Sequence, residues 1–219
     1  MDRWATFDCY GTLIDWLGGI RAEMQRLFPT CDSGSLLEGY LRAEAEVQDG
    51  RAIPYRQVLT EALVGLAHEQ GERLSDHESD ALARSLPSWP PFPEVAASLA
   101  SLRDAGWRIA ILSNTDPDLL DASLSAIGVP VDLRITAAEA GSYKPASGHW
   151  DTFFEATGAS RERHVHVAAS LFHDVAPAAR MGLPCVWINR QAESSDLPRA
   201  VELSDLTGLT AVLERICPG

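Results

Sequence analysis

The run Thr6-Phe7-Asp8-Cys9-Tyr10-Gly11-Thr12-Leu13 carries an apolar lead-in to a carboxylate, then a loop with a glycine and a hydroxyl. A buried strand delivers a side chain to its C-terminal tip in this way, and open α/β sheets bind ligands at such tips. Residues 107–113 form a second apolar, β-branched run, ending in Ser113 and Asn114. A hydroxyl and an amide there can donate to an anion without competing as nucleophiles. Ser142-Tyr143-Lys144-Pro145 adds an ammonium, and the strand-like run 164–169 leads through Ser170 and His173 to Asp174. Asp8 and Asp174 at neighbouring tips are two like charges, which need a compensating cation if both are to stay ionised. Lys144 is the obvious one. Plainer readings stand beside these: a strand-end aspartate can cap a turn, Ser-Asn is common at helix starts, and loop lysines are usually solvated.

His164 and His166 fall on one face of a strand, which raises a zinc pair. Both precede the strand's C-terminal end, where the other residues converge, and this argues against a metal centre. Cys9, Cys31, Cys185 and Cys217 have neither metal-ligand nor disulfide-framework spacing, so reduced thiols of a cytoplasmic protein are expected. Cys9 reads as a small core residue, on the opposite strand face from Asp8.

The elements that must hold these residues alternate. Between the first and second motifs, helical patterns cover 18–28, 35–48, 54–70 and 75–86. Ser75 to Glu78 and Ser35 to Glu38 both have the form of a capping box. The proline-rich segment 87–93 reads as a stiff hinge. Beyond it come helix 94–105, strand 107–113, helix 117–127, strand 131–136, helix 148–157, strand 164–169, helix 175–181, strand 184–188 and helix 207–216. Soft linkers are expected at 30–34 and 190–198. Strands alternating with helices imply a parallel sheet with right-handed crossovers. The expectation is an α/β fold: a Rossmann-like core formed by 1–15 and 88–219, with a helical cap, 16–87, inserted after the first strand.

The 219 residues include 18 basic and 31 acidic side chains, a net charge of -13. Such a balance disfavours nucleic acid and anionic membranes, so an anionic substrate would be drawn by local cations. No apolar run approaches a transmembrane length, and the start of the chain lacks the pattern of a signal peptide.

Taken together, the four motifs resemble those of the haloacid dehalogenase superfamily, in the same order across nearly the whole chain. Most of that superfamily are magnesium-dependent phosphatases with Asp-x-Asp in the first motif. Asp8-Cys9-Tyr10-Gly11-Thr12-Leu13, Leu112-Ser113-Asn114 and the trailing Trp187-Ile188-Asn189-Arg190 are instead similar to the L-2-haloacid dehalogenase branch. The resemblance implies a hydrolase that releases halide from short 2-haloalkanoic acids through an ester on Asp8, with Lys144, Asp174 and Ser113 as its catalytic partners. It implies substrate contacts from Tyr10, Thr12, Asn114 and His173, and a halide-binding cap arginine at Arg42. A helical Arg42 can equally pair with Glu38 or Glu46. Tyr10 and Ser170 stand where magnesium sites of the superfamily carry acids, so no metal and no cofactor is expected. The expected partner is a small anionic substrate, with a homodimer possible. Three positions depart from the branch: Ala169 and Leu171 replace a serine and a water-orienting asparagine, and Trp150 replaces a tyrosine. The alternatives are a magnesium-dependent phosphatase of small metabolites and a non-enzymatic binding protein of the same fold.

Overall fold

The computed structural model describes residues 2–48, 51 and 53–219. Six strands form a single sheet: β1 (Arg3–Phe7), β2 (Trp107–Ser113), β3 (Leu133–Thr136), β4 (His164–Ala168), β5 (Cys185–Ile188) and β6 (Val201–Leu203). Their order is β3-β2-β1-β4-β5-β6, and every pairing is parallel. The first strand is therefore central. Phe7 pairs with Ile111 on one side and Val167 on the other, so Asp8 emerges between the ends of β2 and β4. The central strands are buried on both faces, which their Val-, Ile- and Ala-rich composition permits.

Eleven helices are described: α1 (Trp16–Leu27), α2 (Ser33–Gln48), α3 (Tyr55–Glu69), α4 (Asp76–Ser79), α5 (Ala81–Ser85), α6 (Val95–Asp104), α7 (Pro117–Ile127), α8 (Ala137–Ala140), α9 (Gly148–Thr157), α10 (Ala176–Arg180) and α11 (Leu209–Ile216). Alternation along the strands sorts the core into two layers. Ala5, Phe7, Ile109, Ile111, Val165 and Val167 face a layer that includes α6, α7 and α11 and continues into the interior of α1–α5. On the other face Trp4, Ala110 and Leu112 meet Trp150 and Phe153 of α9 and Ala178 of α10. Cys9 is buried in the first layer, where burial pushes its thiol up.

Helices α1–α5 leave and rejoin the sheet through adjacent chain segments. Asp15 N donates to Pro90 O and Phe92 N to Leu13 O, both at 2.9 Å. Gly19 of α1 approaches Trp89 so closely that a β-carbon would sit 2.3 Å from the indole. The expected hinge thus forms one wall of a paired stem. A second fastening comes from Asp116, which precedes α7. Its carboxylate accepts from Tyr55 N and Arg56 N, each at 2.9 Å. These are orphan donors at the start of α3 that Pro54 leaves without a side-chain cap.

Several details differ from the sequence expectation. Helix α2 begins at Ser33, inside the expected linker, because Asp32 caps it by accepting from Ser35 N and Oγ. Ser35 to Glu38 is therefore no capping box. Ser75 to Glu78 is one, but the helix it starts breaks at Asp80. The short edge strand β6 and the single turn α8 carry no periodic signal long enough to read. Ahead of α10, a wide helical turn, Leu171–Val175, begins at Ser170, whose Oγ accepts from His173 N.

Candidate active site

Asp8, Ser113, Asn114, Lys144, Ser170, His173 and Asp174 line one cavity of about 1070 Å³ between the C-terminal strand ends and helices α1–α3. The loop after β1 turns back on itself through Gly11, whose φ of 85° suits a residue without a β-carbon. This brings Thr12 Oγ1 within 2.9 Å of Asp8 Oδ2, to which it donates, while Ala169 N donates to the same hydroxyl oxygen at 2.9 Å. Lys144 is 2 % exposed and Asp8 7 %. Lys144 Nζ donates to Asp8 Oδ1 at 2.9 Å, Asp174 Oδ1 at 2.7 Å and Leu112 O at 2.8 Å. All three ammonium protons are used.

Burial opposes a charge on Lys144, but Asp174 and Asp8 outweigh it and hold its pKa above the ordinary lysine value. Burial likewise opposes the charge on Asp174. Lys144 and a hydrogen bond from His166 overcome it and keep that carboxyl below the usual range. Asp174 Oδ2 has no hydrogen-bond partner. One oxygen of Asp174 is thus anchored and the other is buried without a partner.

Of the five expected substrate contacts, Tyr10, Asn114 and His173 line the cavity, whereas Arg42 and Thr12 do not. Arg42 is not on the cavity wall. It lies on the polar face of α2, 64 % exposed, and pairs with Glu69 of α3 at 3.8 Å rather than with Glu38 or Glu46. Thr12 is spent on Asp8 and Ala169 and does not line the cavity. Asn114 lines it, and its amide braces the backbone of Lys144: Nδ2 donates one of its two protons to Lys144 O at 2.9 Å and Oδ1 accepts from Lys144 N at 2.7 Å. It therefore fixes the lysine. Tyr10 presents its ring to the cavity, while its hydroxyl turns away to Ser123 Oγ and Leu119 O of α7. His173 does line the cavity, with Nδ1 3.2 Å from Ser170 Oγ. Burial lowers its pKa, favouring the neutral ring. Trp16, the first residue of α1, walls the cavity.

Two groups escaped the sequence reading. His166 Nε2 lies 3.0 Å from Asp174 Oδ1, and Thr6 Oγ1 lies 2.8 Å from both His166 Nδ1 and His164 Nε2. The carboxylate only accepts, so His166 Nε2 carries the proton and its Nδ1 accepts from Thr6. The threonine oxygen then accepts from His164 Nε2–H, which leaves His164 Nδ1 without a proton and, in the structure, without a partner. Burial lowers the pKa of His164 to about 3, in keeping with that neutral state. The expectation that these histidines lie too far down the strand fails because Asp174 folds back toward them. The second group is Glu44, on the cavity wall and 8 % exposed. The signal was available: Leu37, Tyr40 and Glu44 share the buried stripe of α2 at helical spacing. Among the described residues, no cluster of three His, Cys, Asp or Glu side chains is placed to hold a metal.

Residues 3–182 match the family model described as haloacid dehalogenase-like hydrolase. The chain belongs to that family. This haloacid dehalogenase-like hydrolase is 26% identical over 216 residues to an (S)-2-haloacid dehalogenase of Pseudomonas sp. (strain YL), covering 95% of this chain and 91% of the relative. It is 29% identical to haloacetate dehalogenase H-2 of Moraxella sp. (strain B), covering 87% of each. The crystal structure of an L-2-haloacid dehalogenase superposes with a TM-score of 0.87 at 24% identity, over 97% of this chain and 99% of the other, which establishes the shared fold. Among the described residues, no helix of this family member is long and apolar enough to cross a membrane.

Proposed function

We propose that the protein is a metal-independent hydrolytic dehalogenase of 2-haloalkanoic acids. The observation that carries this reading is the buried bridge of Lys144 between Asp8 and Asp174 on the cavity floor. Asp8 is the nucleophile. Lys144 and Thr12 orient its two oxygens, and each oxygen keeps a further lone pair. One oxygen attacks the α-carbon as the carbon–halogen bond breaks, which inverts that carbon and expels halide. Ser113 and main-chain N–H groups of the strand ends receive the substrate carboxylate.

The second step hydrolyses the Asp8 ester. The free Oδ2 of Asp174 takes a proton from water as its oxygen attacks the ester carbonyl carbon, and the proton passes to the departing 2-hydroxy acid. The fixed His164–Thr6–His166 chain holds Asp174 in position for this transfer. Splitting one displacement into two steps is the usual logic of covalent catalysis. The family's magnesium chemistry requires oxygen donors in an octahedral shell. The residues here do not fit that ion: Tyr10 and Ser170 turn their hydroxyls to Ser123 and His173, and Lys144 occupies Oδ1 of both aspartates.

The test is a single turnover in water enriched in heavy oxygen, with enzyme in excess, followed by mass spectrometry of the Asp8 peptide. The expected result is label on Asp8 and none in the first-turnover hydroxy acid, unchanged by exhaustive chelation. Label in the product alone refutes the ester. Phosphate release restored by Mg²⁺, without halide release, moves the protein to the phosphatase class.

A further inference from the structure

Glu44 is a buried carboxyl on the cavity wall that the reaction above does not use. Trp16 Nε1 lies 3.0 Å from Tyr55 Oη, and Tyr55 Oη lies 2.9 Å from Glu44 Oε1. An indole N–H only donates, so Tyr55 accepts from Trp16 and gives its own proton to Glu44. Oε1 is therefore an acceptor, and among the described residues Oε2 has no hydrogen-bond partner. Nor does a described cation pair with Glu44. Arg42 pairs with Glu69, and Arg51, on the same wall, is held by both oxygens of Glu61 at 2.5 and 3.2 Å. Burial pushes the Glu44 carboxyl up to about 7, which leaves it substantially ionised at neutral pH behind a single hydrogen bond.

A buried charge without a counterion costs several kcal/mol. The surroundings suit a cation that comes with the ligand. Tyr10, Trp16 and Tyr55 line the same cavity, with the two tyrosine rings near-parallel and their centroids 6.3 Å apart. Aromatic faces attract cations, more strongly where water is excluded. The cavity of about 1070 Å³ also has room well beyond a three-carbon haloacid, since pockets of roughly 300–1,000 Å³ hold drug-sized ligands.

We propose that Glu44, with Tyr55, Trp16 and Tyr10, forms a subsite for a positively charged nitrogen, so that the substrate is an alkanoate bearing an ammonium group remote from its reacting carbon. The reacting end of this substrate rests on the dehalogenase reading; the subsite is a binding property and stands apart from it.

The probes are 6-aminohexanoate and heptanoate, in which a methyl replaces the ammonium, titrated calorimetrically into the full chain at pH 8. The expected result is at least tenfold tighter binding of 6-aminohexanoate. In Glu44→Gln, which keeps an acceptor for Tyr55, the preference should fall below threefold with the melting curve still cooperative. Equal binding of the two probes to the unmodified protein overturns the subsite, whatever the variant does. A preference that survives in folded Glu44→Gln overturns the assignment to Glu44. In parallel, halide release is measured from 2-chloro-6-aminohexanoate and 2-chloroheptanoate, with at least a tenfold kcat/KM advantage expected for the former. Preserved ammonium preference with no halide from any haloacid refutes the dehalogenase reading and supports the subsite. Halide released equally from both refutes the subsite and supports the dehalogenase.

Discussion

Replacing Glu44 with glutamine should change how stability responds to pH, and the size of the change follows from the position of the side chain. Burial lifts the carboxyl from its ordinary 4.5 to about 7 in the folded state. A carboxyl raised on folding favours the folded state only while protonated. Its contribution is complete below pH 4.5, is lost as pH rises toward 7, and is constant above. Each unit of pKa difference is worth about 1.4 kcal/mol, so linkage makes the loss between pH 5 and pH 8 roughly 2–3 kcal/mol. Little discount for solvent applies to a side chain 8 % exposed. Glutamine keeps the acceptor for Tyr55 and cannot ionise. Other titrating groups are common to both proteins and cancel in the difference. Urea unfolding of both, without ligand, at pH 5, 6, 7 and 8 gives that difference directly. Glu44→Gln should gain on the parent protein steadily up to about pH 7 and then hold its advantage. A difference that stays flat from pH 5 to 8 would refute the reasoning, even if the variant were uniformly more or less stable.

Asp8→Asn should fold and lose at least about 10⁴-fold in turnover, the scale seen when a nucleophile is removed; mass spectrometry must first exclude deamidation back to aspartate. Lys144→Met should lower kcat by about 10²–10³-fold, as loss of a preorganised charge does, whereas Arg42→Ala, on the far side of α2, should stay within about twofold in parallel halide-release assays, consistent with an exposed ion pair of small worth. His166→Leu should slow turnover by about ten- to a hundredfold, matching a hydrogen bond to a charged group worth about 1.5–3 kcal/mol, and raise the acid limb of the pH–rate profile, because Asp174 loses a donor that keeps it ionised; an unshifted acid limb would make His166 merely a packing residue.

Five of the six strands were readable because each is a short apolar run ending in residues that cannot stay buried unpaired. Phe7 before Asp8, Leu112 before Ser113 and Ala168 before Ser170 mark the tips without any knowledge of pairing. The floor of the cavity followed from those tips and one lysine. What could not be read was direction. Asn114 was recognised at a strand end, yet only coordinates show its amide bracing both backbone groups of Lys144. Arg42 was drawn toward the cavity by its neighbourhood, whereas helical geometry puts Leu41 and Glu44 on the wall and turns Arg42 out. His166 was discounted because linear position along a strand says nothing of a later loop that doubles back. The edge strand β6 is three residues long, too short for any period to show.

The central place of β1 sets the order in which the molecule can assemble. Arg3 meets Trp107 and Trp4 meets His164, so β1 pairs only with segments roughly one hundred or more residues further along the chain. Closing a loop of that length costs about 4 kcal/mol in chain entropy, repaid only when both neighbours are present. Helices α1–α3 build local contacts among themselves in the meantime. Asp8 thus precedes both neighbouring strands in the chain and is seated only once both are in place. A chain cut before β4 therefore lacks Asp174 and the second anchor of the lysine that holds Asp8.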